Sequence, residues 1–117
     1  MTLSVEMITI DCTDPDALAQ WWQQALGGEV TALAPGEFVM LVQPAGPRLG
    51  FQKVVAPTPG KNRVHLDLAA GDAEAEVARL VSLGARETER HSMGDDFSWV
   101  VLADPEGNAF CIGSEEG

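Results

Sequence analysis

Two stretches of this chain are written on one plan. Each has a short apolar strand, an acidic helix cap, an amphipathic helix ending in Leu-Gly, and then further strands. The first copy reads Met7-Ile8-Thr9-Ile10, then Asp14, then Leu26-Gly27; the second reads His65-Leu66-Asp67-Leu68, then Asp72, then Leu83-Gly84. Asp14 and Asp72 are 58 positions apart, as are Met7 and His65, and the two Leu-Gly pairs are 57 apart. Residue identity between the copies is weak, but the order and spacing of elements agree. A duplicated strand–helix–strands unit points to two half-sheets curled around one shared cleft, and such clefts are where ligands tend to bind.

The local signals within each copy are clear. Residues 4–11 alternate as a strand. Thr13-Asp14-Pro15 starts a helix: a side-chain oxygen accepts from otherwise unpaired N–H groups, and proline fits the first turn because its missing N–H costs nothing there. Leu18, Trp21, Trp22, Ala25 and Leu26 then follow the spacing of a helix packed on a sheet. Residues 29–33, 37–42 and 48–54 read as three strands, separated by turns at Pro35-Gly36 and Pro44–Pro47. In the second copy Asp72 caps a helix with Ala73, Val77, Leu80 and Val81 on one face. Glu74 and Glu76 sit near its positive N-terminus, where carboxylates are favourable. Residues 85–90, 97–103 and 109–112 complete the set of strands, with a tight turn at Asp104-Pro105-Glu106-Gly107-Asn108. His91–Asp96 reads as a mobile loop beside the cleft, and the tail from Ser114 as frayed.

At 117 residues the chain is long enough for one core and too short for two independent domains. The expected organisation is a single domain over 1–117. Module one covers about 1–55, a linker about 56–61, and module two about 62–113. Ala56-Pro57-Thr58-Pro59-Gly60 marks the linker, because two prolines and a glycine do not sit inside a central strand. The apolar runs fall far short of the roughly 20 residues a membrane-spanning helix needs. The N-terminus also lacks the basic and apolar regions of a signal peptide, so the expected location is cytoplasmic. Eighteen acidic residues against seven basic ones give a net charge of −11, which makes nucleic acid and anionic membranes poor partners and keeps the protein soluble.

Strand parity sorts the polar residues. If Ile8, Ile10, Leu66 and Leu68 pack under the helices, then Met7, Thr9, Asp11, His65 and Asp67 face the concave side. Cys12 shares the parity of Ile8 and Ile10, whereas Cys111 faces the opposite way to Phe110 and Ile112. A disulfide between the two is therefore not expected, which fits a reducing compartment. His65 leads the functional candidates, because a neutral imidazole can ligate a metal or move a proton near neutral pH; the competing reading is a histidine satisfied by Asp67 or a backbone carbonyl. Trp99 either lines the cleft or fills core, while Trp21 and Trp22 read as core. His91 reads as a solvated loop residue. Cys111 is a soft metal ligand, a reactive thiol, or a small buried apolar residue. No motif supports nucleophilic catalysis, a phosphate-cradling glycine loop or a zinc ribbon, and residues 104–108 lack the ligand spacing of a calcium loop.

Taken in order, Asp14-Pro15 with Leu18 and Trp21-Trp22, Ala25-Leu26-Gly27, His65-Leu66-Asp67-Leu68 with Asp72, Leu83-Gly84-Ala85 and Asp104-Pro105-Glu106-Gly107-Asn108 cover nearly the whole chain. This series resembles the vicinal oxygen chelate superfamily, the glyoxalase / bleomycin-resistance / dioxygenase group, and within it the short glyoxalase-like branch. The resemblance implies an α+β fold of two tandem βαβββ modules, whose curved mixed β-sheets surround a cleft with the helices on their outer faces. It also implies a homodimer. Catalytic members hold a divalent metal with His, Glu or Gln side chains from four strands, two per module. Carried over, His65 matches its position; Met7 stands in the first strand, Gly50 or Gln52 in the fourth, and Cys111 where the last strand has Glu.

The expected function is capture of a small organic molecule in the concave cleft, without the full metal site, for sequestration, resistance or sensing. His65, Asp67, Thr9, Asp11, Met40, Gln52 and Trp99 would line that cleft, and the carboxylates of Asp11 and Asp67 would favour a cationic or hydrogen-bond-donating ligand. The alternative is a metal-dependent lyase, isomerase or dioxygenase with His65 and Cys111 as metal ligands. A metal-free enzyme would use His65 as general base with Asp67 orienting it. The cofactor is thus open between none and a divalent metal.

Overall fold

The computed structural model describes residues 5–60, 62, 64–92 and 98–114. The chain divides into two compact units, Met1–Pro57 and Thr58–Gly117. In the first, β1 (Met7–Cys12), α1 (Pro15–Leu26), β2 (Glu29–Ala34), β3 (Phe38–Val42) and β4 (Arg48–Lys53) follow one another. In the second, β5 (Leu66–Ala70), α2 (Ala73–Ser82), β6 (Arg86–Ser92), β7 (Ser98–Ala103) and β8 (Ala109–Ser114) repeat the order. The sheets run β1-β4-β3-β2 and β5-β8-β7-β6, so each unit is the same βαβββ arrangement, with its first strand parallel to its last and the others antiparallel.

The helices begin alike for the same reason. Asp14 accepts a hydrogen bond from the Ala17 amide at 3.2 Å, and Asp72 accepts one from Ala75 at 3.1 Å. Each cap satisfies an amide that the helix itself leaves without a partner. Leu18, Ala19, Trp21 and Trp22 of α1 are buried with Cys12, Val39, Leu41, Leu49 and Phe51 of the first sheet. Val77 and Leu80 of α2 are buried, as are Val100, Leu102, Phe110 and Ile112 of the second sheet. Each unit therefore has a closed face under its helix and an opposite, open face.

Three expectations need correction. Val81 is not on the buried stripe of α2 but 44% exposed, because a ten-residue helix on a four-stranded sheet covers a narrower stripe than the sequence pattern suggests. His91 and Ser92 do not belong to a loop: they end β6, where His91 pairs with Trp99 and Ser92 with Ser98. β6 is exposed along its whole length and carries no apolar alternation, and pairing with β7 carries the expected strand on through His91 and Ser92. The strand 109–112 is longer than expected, since pairing of Ala69 and Ala70 with Gly113 and Ser114 extends β8 by two residues. The rest of the expected 91–96 loop, residues 93–96, and the tail after Ser114 lie outside the described residues.

Candidate functional site

The site is built on the open face of the second sheet, from residues that register places in rows. Asp67 pairs with Cys111 and Cys111 with Val101; Ala69 pairs with Gly113 and Gly113 with Trp99. Register partners share a face, so Asp67, Cys111 and Trp99 rise on the same side, and His65 stands just before β5. Together with Leu68, Ala69 and Gly113 they line a cavity of about 500 Å³, within the range of a small-molecule site. The walls are mainly apolar, with the His65 and Asp67 side chains as their polar groups.

His65 Nε2 lies 3.3 Å from Asp67 Oδ1, with the carboxylate exposed and the imidazole partly covered. An imidazole nitrogen, a carboxylate oxygen and the Cys111 sulfur lie within 4.8 Å of one another. Cys111 itself is only 8% exposed, so the cavity is its route to small molecules. Cys12, the other thiol, is fully buried in the first unit, where it donates to the Gln52 carbonyl.

Trp99 forms one wall. Its indole stacks on His91, with ring centroids 5.1 Å apart and planes 24° from parallel, and His91 Nε2 lies 3.0 Å from Glu89 Oε1. The solvated loop histidine expected from sequence is thus a strand residue that backs a pocket wall.

Two further residues hold the frame: Asn62, not singled out from sequence, and Asp104, which opens the expected turn. Asn62 accepts from the Ala109 amide at 2.7 Å and donates to the Ala109 carbonyl and to the Val64 carbonyl. It thereby ties the start of β8 to the segment that carries His65. Buried Asp104 accepts from the amides of Glu106 and Asn108, both at 2.9 Å, and so closes the turn between β7 and β8. The Asp-Pro-Glu-Gly-Asn motif signals that turn, but nothing in the sequence near Asn62 points 47 residues ahead.

The other expected ligand-binding residues lie on the open face of the first sheet. Thr9 and Met40 share a row with Gly50, while Asp11 and Gln52 share the next row with Phe38. Thr9, Asp11 and Gln52 are exposed and Met40 is half-buried. The residues lining the cavity all belong to the second unit.

Register also matches the two open faces position by position. Phe38 faces Gln52 as Trp99 faces Gly113, and Met40 faces Gly50 as Val101 faces Cys111. In the first unit the space above Gly50 is filled. A Cβ added at Gly50 would stand 2.9 Å from Phe38 Cζ, 3.1 Å from Met7 Sδ and 3.1 Å from Thr9 Oγ1. In the second unit glycine stands opposite the aromatic ring instead, and among the described residues a Cβ at Gly113 would meet nothing nearer than the Ser98 carbonyl oxygen at 3.8 Å. Moving the glycine by two residues is what leaves room beside Trp99.

The same comparison tests the divalent metal implied by the sequence resemblance. Thr9 pairs with Gly50 as Asp67 pairs with Cys111, so of the two expected fourth-strand positions register selects Gly50 and not Gln52. The first unit thus offers a thioether, Met7, and Gly50, which has no side chain and no room for one. Mg, Mn and Fe(II) favour oxygen and nitrogen donors. These residues do not fit a hard-cation cage. Among common ions only a borderline or soft one would take a thiol together with an imidazole.

Residues 7–113 match the family model described as the glyoxalase-like domain. The chain belongs to that family. This glyoxalase-like protein also shares its fold with solved structures. A glyoxalase/bleomycin resistance protein/dioxygenase family enzyme from Burkholderia phytofirmans PsJN superposes with a TM-score of 0.81 at 19% identity, over 96% of this chain and 98% of that one. A superfamily member from Sphaerobacter thermophilus gives 0.75 at 22% identity, covering 98% and 99%. Lactoylglutathione lyase from Agrobacterium tumefaciens gives 0.71 at 16%, covering 97% and 95%. No curated protein sequence matches the chain. Among the described residues no helix is long and apolar enough to cross a membrane.

Proposed function

We propose that this glyoxalase-like protein binds a small organic molecule on the open face of its second unit and acts by sequestering or sensing it. The observation that carries the reading is the cavity of about 500 Å³ with Trp99 as a wall and the His65–Asp67 pair as its polar groups. An indole face suits a planar or apolar body. A carboxylate beside an imidazole suits a ligand group that donates a hydrogen bond or carries positive charge. Bleomycin resistance proteins share the superfamily name of its structural neighbours, which accords with a binding role. Ligand contact by Thr9, Asp11, Met40 and Gln52 would be a separate proposal, for the open face of the first unit.

The test is a ligand screen read by thermal shift and tryptophan emission. Trp21 and Trp22 are buried in α1, so quenching by a ligand reports mainly on Trp99. A ligand at about 100 times its Kd adds roughly 2.7 kcal/mol to native-state stability. Saturable quenching that disappears in Trp99→Phe supports the reading. A broad library that neither quenches nor stabilises, together with an experimental structure whose cavity is filled by side chains, would sink it.

A further inference from the structure

We propose that Cys111 is a nucleophile and that the cavity captures α,β-unsaturated carbonyl compounds as covalent thioether adducts, with His65 as the base. This deepens the binding function proposed above and rests on it.

The geometry brings together the parts such a reaction needs. Cys111 sits mid-strand in β8, paired on one side to β5 and on the other to β7, so its sulfur is held in place. The sulfur, a nitrogen of His65 and an oxygen of Asp67 lie within 4.8 Å of one another at a cavity wall. A thiol becomes an effective nucleophile as its thiolate, and a neighbouring imidazole both takes the proton and stabilises the anion. The Asp67 carboxylate lies 3.3 Å from His65 Nε2, placed to accept from the ring and fix its orientation. Apo distances of this kind commonly tighten when substrate binds.

The cavity also selects the electrophile. A thiolate is soft and prefers a conjugated carbon. Trp99, Leu68 and Ala69 offer apolar and aromatic surface for a flat body, and Gly113 leaves space beside the ring. Addition to a carbon–carbon double bond has no leaving group, so no acid for a departing group is required.

In the step, His65 removes the Cys111 Sγ proton and the sulfur electron pair forms a bond to the β-carbon. The π pair of the double bond moves to give the enolate, and the His65 imidazolium returns the proton to the α-carbon. One S–C bond and one C–H bond form, while the S–H bond and the C=C π bond are lost. No oxidant or co-reactant is consumed.

The experiment uses the full chain, reduced and EDTA-treated, with 4-phenyl-3-buten-2-one as electrophile and its saturated analogue 4-phenylbutan-2-one as a non-reactive control. Intact mass and peptide mapping locate the adduct, and its rate is followed at neutral pH. The expected result is one adduct, on Cys111 and absent from Cys111→Ser. His65→Ala should slow it by about tenfold or more, positioned general acid–base groups contributing about 10²–10⁴-fold. Free imidazole should restore part of the rate in His65→Ala, which a merely structural histidine would not allow. An adduct confined to Cys12, or a rate unchanged in His65→Ala, overturns the proposal, as does a slowed His65→Ala rate that imidazole leaves unmoved. Saturable Trp99 quenching by the saturated ketone with no adduct from the enone overturns the nucleophile alone. Neither quenching nor adduct overturns the binding reading for this ligand class as well.

Discussion

The ring of His91 lies stacked on Trp99, its nitrogen held by Glu89, so the pocket wall is an aromatic pair rather than a single indole. Stacked pairs contribute about 0.5–1.5 kcal/mol beyond the area they bury. Removing the backing ring should therefore loosen Trp99 without opening the core. His91→Ala is expected to weaken binding of a planar ligand by about three- to tenfold, since 1.4 kcal/mol is tenfold in affinity. Trp99→Ala should cost more than His91→Ala. Fluorescence titration of both variants with one ligand checks the order.

Arg90 grips two carboxylates at once, Glu74 on α2 and Glu87 on its own strand, through four contacts of 2.7–2.9 Å. Hydrogen bonds from Arg90 hold both carboxyl groups below the ordinary value of 4.5. A carboxyl whose folded-state pKa is depressed contributes stability that is complete above its unfolded value and lost as pH falls through the folded one. Arg90→Gln should therefore lower Tm slightly at neutral pH, the groups being solvent-exposed. The gap from wild type should close as pH falls below about 4.5, the ordinary carboxyl value from which both groups are lowered. Melting curves of both proteins across that range decide the matter.

Asn62→Ala removes one side chain that serves both backbone groups of Ala109. Leaving partly buried backbone groups unsatisfied costs about 1–3 kcal/mol. Denaturant melts should show that loss. Hydrogen exchange should place the weakening at the start of β8 and not in the first unit.

Gly50→Val puts a branched side chain where Phe38, Met7 and Thr9 already meet. Overpacking of this kind costs about 1–3 kcal/mol. Equilibrium unfolding measures it, and a neutral result would mean that Phe38 swings aside freely.

Metal-stripped protein should show no change in Tm with Mg or Mn, because Met7 and Gly50 offer those hard ions nothing to bind. A rise with either that vanishes in His65→Ala would overturn this reading of the donor set.

Much of the frame is legible in the chain itself, and the reasons are local. Asp14 and Asp72 announce their helices because a cap acts within one turn. Parity along β1 and β5 places Thr9, Asp11 and Asp67 on the open faces because alternation in a strand is geometric. What escapes the sequence depends on partners far along the chain. His91 looks like a loop residue since its strand is an edge with every side chain exposed; only β7 makes it a strand. Asn62 looks ordinary until β8 arrives 47 residues later. Trp99 and Phe38 look alike as aromatic strand residues, yet the residue across the ladder, Gly113 or Gln52, separates a pocket wall from a lid over Gly50.

A protein that carries one plan twice can close the space at one row of one copy and leave it open in the other without changing its backbone. Here one such difference is the address of a glycine: beneath the ring's reach in the first sheet, across from the ring in the second. Room for a ligand in such a chain is a matter of where a side chain is omitted. New specificities are therefore within reach of substitutions at Phe38, Gly50, Gln52 and their three counterparts, with the rest of each sheet left as scaffold.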